Sequence, residues 1–226
     1  MVFILALITF AALVIYDIVR HARLAEATKS AAQPGGAGIE KIYPPLYRKE
    51  GLVTKRGIYY HPGHTWAKLV GEEAVEVGLD DFAQKFVGPI DEIHLPRPGT
   101  KVKQGEPVFR VKRGNRELKL VAPVSGKVTA VNPRIEMDPE LINESPYGSG
   151  WLVRIQPTSL KENLRNLLDD FMAQKWMQTV KQAFLSKYGQ QFAFTMQDGG
   201  HLAAGFGMNL SDEQWREIAE EYFKNF

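Results

Sequence analysis

The feature that most constrains this chain is a train of short apolar runs of strand length, each closed by a turn signal, between residues 65 and 157. TWAKLV, AVEVGL, PIDEIHL, PVFRVK, ELKLVAPV, GKVTAV and GWLVRIQ follow one another at β spacing. Gly71, the Pro96 to Gly99 turn, Gly105, Arg113-Gly114-Asn115 and Gly126 punctuate them, and one short helical pattern, LDDFAQKF, interrupts the series. Such a pattern describes a β sandwich or barrel.

Beyond Pro157 the period changes. Ser159 and Glu162 stand as a capping box, and Leu160, Leu164, Leu167, Leu168, Phe171 and Met172 follow at helical spacing, so a long helix is expected from there. Trp176, Met177, Val180, Phe184 and Tyr188 continue its apolar stripe to Gly189. A second box, Ser211 to Gln214, has Leu210 and Trp215 placed as a hydrophobic staple, ahead of Ile218, Ala219, Tyr222, Phe223 and Phe226. FAFTMQDGGHLAAGFGMNL, between the two, reads equally as a strand pair or an ordered loop.

From Met1 to Val19 the chain is apolar except for Thr9 and Asp17, and Arg20 and Arg23 follow. Nineteen residues rise about 28 Å as a helix, close to the roughly 30 Å of a hydrocarbon core. No basic residue precedes the run, so the expectation is a retained single-pass anchor rather than a cleaved leader. The positive-inside rule then puts the carboxy-terminal part in the cytoplasm and the amino terminus outside. EATKSAAQPGGAG reads as a tether, and the aromatic and basic stretch after it as an arm that wraps a domain surface, touches anionic headgroups or is simply extended. The expected organisation is an anchor over 1–23, linker and arm over 24–60, a β domain over 61–157 and a helical extension over 158–226.

The absence of cysteine excludes thiolate chemistry, and a net charge of +2 demands no nucleic-acid partner. His61, His64, His94 and His201 show no metal-ligand spacing. The carboxylate pairs Asp80-Asp81, Asp91-Glu92 and Glu136-Asp138 read as surface charge, so neither an enzyme nor a small-molecule site is expected.

Four ordered motifs carry a family resemblance: His64-Thr65-Trp66, VGLDDFAQKFVGPIDEIHLPRPG over 77–99, APVSGKVTAVN over 122–132 and PELINESPYGSGW over 139–151. Together they resemble the glycine cleavage H protein. That resemblance implies a hybrid β sandwich or barrel of the lipoyl type with flanking helices, and a carrier rather than a catalyst. It also implies a lipoylated lysine at a hairpin tip, seven residues before the alanine of the APVSG-like turn. Counting back from Ala122 gives Asn115, inside VKRGNRELK, and the family's nearby glutamate position is Lys112. An asparagine amide cannot make lipoate's amide linkage, so no cofactor is expected. The alternative is lipoate on Lys112, or on Lys119, after a change of register.

Arg110, Lys112, Arg113, Arg116 and Lys119 make this hairpin basic, suited to docking an acidic protein surface or membrane phosphates, or to plain solvation. Together with Trp176, Trp215, Phe223 and Phe226 they are the candidate interaction residues. The function expected is an accessory subunit, held by membrane lipid through residues 1–19, that docks to other subunits of a membrane complex. Respiratory or photosynthetic electron transport is the expected context.

Overall fold

Every apolar run in the train becomes a strand or lies beside one. The structure, a computed structural model, describes residues 51–71, 73–189 and 202–223. Its strands are β1 (Tyr59–His61), β2 (Thr65–Val70), β3 (Ala74–Leu79), β4 (Glu92–His94), β5 (Lys101–Val102), β6 (Pro107–Arg113), β7 (Arg116–Val121), β8 (Gly126–Val131) and β9 (Val153–Pro157). They pair antiparallel into a six-stranded sheet of order β1-β2-β3-β9-β8-β5 and a three-stranded sheet of order β4-β6-β7. Period-two alternation fixes which side chains face inward. On β6 and β7, Phe109, Val111, Leu118 and Leu120 are buried, while Arg110 and Lys119 are exposed.

The helices are α1 (Asp81–Val87), α2 (Pro133–Met137), α3 (Leu141–Glu144), α4 (Leu160–Arg165), α5 (Asp170–Tyr188) and α6 (Asp212–Phe223), with a 3-10 turn at Phe206–Asn209. Asp80 starts α1 by accepting a hydrogen bond from the Ala83 amide at 2.9 Å. Gly88 ends it at φ 74°, and a Cβ there would lie 2.6 Å from Gly205 Cα, so both conformation and space require glycine. The helix is buried along its whole length. Phe82 and Phe86 pack against Phe206 and Phe223, and Phe82 also meets Phe184 and Tyr222, with ring centroids 5.1–5.8 Å apart. Burial of such rings contributes about 1.5–3 kcal/mol each, so this aromatic cluster is what joins the helices to the β domain.

Three expectations change. The spacing predicts one long helix from Ser159, yet α4 stops at Arg165 and α5 begins at Asp170. Between them the Leu168 backbone pairs with Tyr60 in an isolated bridge, at 2.8 and 2.9 Å, which holds that residue out of a helix. Ser159 makes no side-chain cap. Phe171 and Met172, expected in the apolar stripe, are 65% and 53% exposed because the restart at Asp170 turns them outward.

The arm runs into β1 and is strapped to the domain before that strand. The Val53 amide donates to Asp81 Oδ2 at 2.8 Å, Tyr147 Oη donates to the Val53 carbonyl at 2.7 Å, and the Gly57 amide donates to Asp170 Oδ1 at 2.7 Å.

The chain divides into two units, Met1–Pro44 and Pro45–Phe226, and every described residue belongs to the second. The expected membrane helix and tether, and Phe226, lie outside the described residues. No helix among the described residues is long and apolar enough to cross a membrane.

Candidate functional site

The β6–β7 hairpin closes with Arg113 opposite Arg116, leaving Gly114 and Asn115 as its two-residue tip. Gly114 has φ 56°, the positive value that such tight turns require. Its amide donates to Asp91 Oδ2 at 2.7 Å, which ties the tip to the segment before β4. Asn115 is exposed. The residue that the sequence count singled out therefore stands where a side chain can leave the hairpin unobstructed.

Lys112 does not stand at the tip. It lies within β6, in register between Glu92 of β4 and Glu117 of β7, and its ammonium is 3.2 Å from Glu92 Oε2. A strand side chain so flanked points across the sheet, not along the hairpin axis.

The remaining hairpin cations part company. Arg113 donates to the Pro89 carbonyl at 2.6 Å and lies 3.5 Å from Asp91. Arg116 turns towards the carboxy-terminal segment. It donates to the Gly207 carbonyl at 2.6 Å and to the Leu210 carbonyl, sits 3.5 Å from Asp212, and covers the Trp215 ring at 5.1 Å. Each of these contacts satisfies a carbonyl or a charge of the chain itself. Only Arg110 and Lys119 keep their charges on the exposed face.

The aromatic candidates are likewise internal. Trp215 is buried, stacks on Phe86 at 4.4 Å and donates its indole N–H to the Glu117 carbonyl at 3.3 Å. Phe223 is fully buried. Trp176 is half-buried and stacks on the His64 ring at 4.8 Å. These three knit the helices to the domain instead of presenting an aromatic surface. The capping box at Ser211 is formed in both directions: the Ser211 amide donates to Gln214 Oε1 at 3.0 Å and the Gln214 amide to Ser211 Oγ at 3.2 Å.

The sequence reading missed a buried polar core. Asp80 and Asp81, taken there as surface charge, are both buried. His64 Nδ1 lies 2.7 Å from Asp80 Oδ2, and the His64 ring is enclosed by Phe82, Trp176 and Phe223. Asp81 accepts from the Val53 amide, from Gln84 Nε2 at 2.7 Å and from Lys85 Nζ at 2.8 Å. Every oxygen of both carboxylates has a hydrogen-bond partner within the fold, so these acids organise the start of α1. Asp91, Glu92, Glu136 and Asp138 are exposed. Among the described residues no group of three potential ligands can hold a metal ion.

Comparison with known proteins gives one consistent outcome. A family model described as "Glycine cleavage H-protein" matches residues 58–182. The "Probable glycine cleavage system H protein" of Pyrococcus abyssi is 40% identical over 127 residues, 56% of this chain and 92% of that protein. The "Glycine cleavage system H protein" of Mycolicibacterium smegmatis is 40% identical over 114 residues, 50% of this chain and 87% of its own length. A crystal structure of a glycine cleavage system H protein from Mycobacterium marinum matches with a TM-score of 0.44 at 32% identity, over 46% of this chain and 87% of that one.

Proposed function

The chain belongs to the glycine cleavage H-protein family, and on that footing we propose that it is a non-catalytic docking member whose hairpin tip carries no lipoate. The single observation that carries this reading is the tip itself. Asn115 occupies the outermost turn, where the family resemblance puts the lipoyl lysine, and its amide nitrogen is not a nucleophile that can be acylated as an amine is. The apolar residues 1–19 support a membrane tether, and Arg20 and Arg23 directly after them support a domain on the cytoplasmic face.

A second reading has the family match in its favour: proteins named H proteins carry lipoate, and Lys112 is the amine nearest the tip on β6. Against it stands the position of Lys112 within the strand, between two glutamates.

Intact mass of the full chain, purified from its own membranes, separates the two. The expected result is an unmodified chain that co-purifies with a larger assembly. In a host with lipoate-attaching enzymes, Asn115→Lys is expected to acquire a lipoyl group, because only the side chain at a correctly shaped tip has changed. A lipoyl group mapped to Lys112 in the unaltered chain replaces this reading with the second one.

A further inference from the structure

The outward face of the three-stranded sheet carries two rows of side chains with different charge logic. In the row nearer the tip, Glu92, Lys112 and Glu117 alternate in sign across the strands. In the next row, His94, Arg110 and Lys119 lie side by side with no acid in the row. His94 pairs with Glu92 at 2.8 Å, while Arg97, Arg110 and Lys119 form no salt bridge among the described residues.

This second row opens into a groove of about 710 Å³ whose walls include Ile93, Leu95 and Val131. Pro96 and Pro98 give it a stiff lip, Arg97 and Arg110 line it together, and Glu136 of α2 is its acid. Three half-buried aliphatic side chains beside two cations that form no salt bridge among the described residues make a mixed site: the aliphatic part favours an apolar group and the cations an anionic one. The two arginines outnumber the one acid among the groove's lining residues, so a complementary occupant brings negative charge next to a bulky aliphatic side chain.

We propose that this groove is the docking site for an acidic protein segment that inserts one leucine-like side chain between Ile93, Leu95 and Val131 while its carboxylates meet Arg97 and Arg110. The proposal deepens the docking reading above by naming the surface and the chemistry of the partner. It relocates the interaction from the hairpin tip, whose cations are engaged within the chain, to the far row of the same sheet.

The test uses full-length protein in nanodiscs and fluorescent peptides, read by anisotropy. The probe is Glu-Glu-Leu-Glu-Glu; Glu-Glu-Gly-Glu-Glu and Lys-Lys-Leu-Lys-Lys serve as controls. The acidic leucine peptide is expected to bind, and the double variant Arg97→Glu, Arg110→Glu to weaken it by at least about tenfold. Glu136→Lys is expected to tighten binding, and Lys112→Glu to leave it unchanged within about twofold because that side chain serves the other row.

All of these residues are exposed or half-buried, so folding is retained in each variant. Absence of binding, equal binding to the double variant, or equal binding of the glycine peptide overturns the proposal; the last marks a plain anion site. A chain that proves to be lipoylated yet binds the leucine peptide as described keeps the groove and loses only the reading of the tip.

Discussion

Replacing Trp215 by alanine tests whether the carboxy-terminal helix is a separable latch on the hairpin. The side chain is 5% exposed, stacks on Phe86 at 4.4 Å, lies under the Arg116 guanidinium at 5.1 Å and donates to the Glu117 carbonyl. Truncating a buried tryptophan costs about 3–5 kcal/mol. The lost cation–π contact adds about 0.5–1 kcal/mol, and the lost hydrogen bond about 1 kcal/mol. These contributions overlap, which leaves about 4–5 kcal/mol concentrated where α6 meets α1 and β7.

Helix α6 buries one face, Trp215, Ile218, Ala219, Tyr222 and Phe223, against the rest of the protein, and its ion pairs to Arg116 and Lys187, made by exposed acids, are weak beside it, so the loss falls on its docking rather than on the sheets. At about 1.4 kcal/mol per factor of ten, amide hydrogens of 212–223 are expected to exchange up to about a thousandfold faster. Those of β3 are expected to keep their rates. Hydrogen exchange followed by mass spectrometry on the full chain reads both regions at once. Acceleration below tenfold in 212–223, or equal acceleration in β3, refutes the reasoning.

Other consequences of the packing are open to measurement. A Cβ on Gly126 would lie 2.2 Å from the Gln156 carbonyl oxygen, so Gly126→Ala is expected to cost about 1–3 kcal/mol in urea unfolding as β8 and β9 are forced apart; an unchanged midpoint contradicts this register. Asp80→Ala removes the α1 cap and strips the buried His64 of its partner, with an expected loss of about 3–5 kcal/mol, and Asp80→Asn, which still caps Ala83, is expected to lose less. Burial holds the Tyr60 and Tyr147 hydroxyls protonated well above the usual phenol range and pushes Tyr222 up to about 12. In the unfolded chain these phenols ionise near 10, so the folded state retains more protons above that pH, and the stability they contribute is complete below about pH 10 and falls as pH rises beyond it. Denaturation curves from pH 8 to 11 should show that fall, with a shallower slope in Tyr60→Phe.

The strands were legible because their signal is local. TWAKLV, AVEVGL and GKVTAV coincide with β2, β3 and β8, where alternation and flanking turns agree. The break between α4 and α5 was not legible, since nothing in Leu167-Leu168 forbids a helix; a partner more than a hundred positions away, Tyr60, wins the Leu168 backbone. The glycine of APVSG was read as a turn residue, yet Gly126 opens β8 and is needed for the close approach of the Gln156 carbonyl. The final glycine before Trp151 behaves alike: a Cβ on Gly150 would sit 2.4 Å from the Leu141 carbonyl, while Trp151 itself remains only half-buried. In both cases the sequence marks the position but not the cause, because the cause is a distant backbone.

The charged residues show the same division at the candidate site. Asp80 and Asp81 read as surface because carboxylates are seldom buried, and LDDFAQK carries two local signals beside that: a cap residue three positions before Ala83, and an acid four positions before Lys85. Local spacing of that kind finds an ion pair and a helix start; it does not find depth. The hairpin inverts the problem. Its five basic residues are visible one by one, and their sum suggests a strong field. Pairing across strands then cancels Lys112 against Glu92, twenty positions off in sequence, and the carbonyls of Pro89, Gly207 and Leu210 draw Arg113 and Arg116 inward. What remains for a partner is decided by which cations the fold has no use for. That is why the charges most plainly offered at the tip serve the chain itself, and why Arg110, one row back, is the hairpin cation that meets the groove.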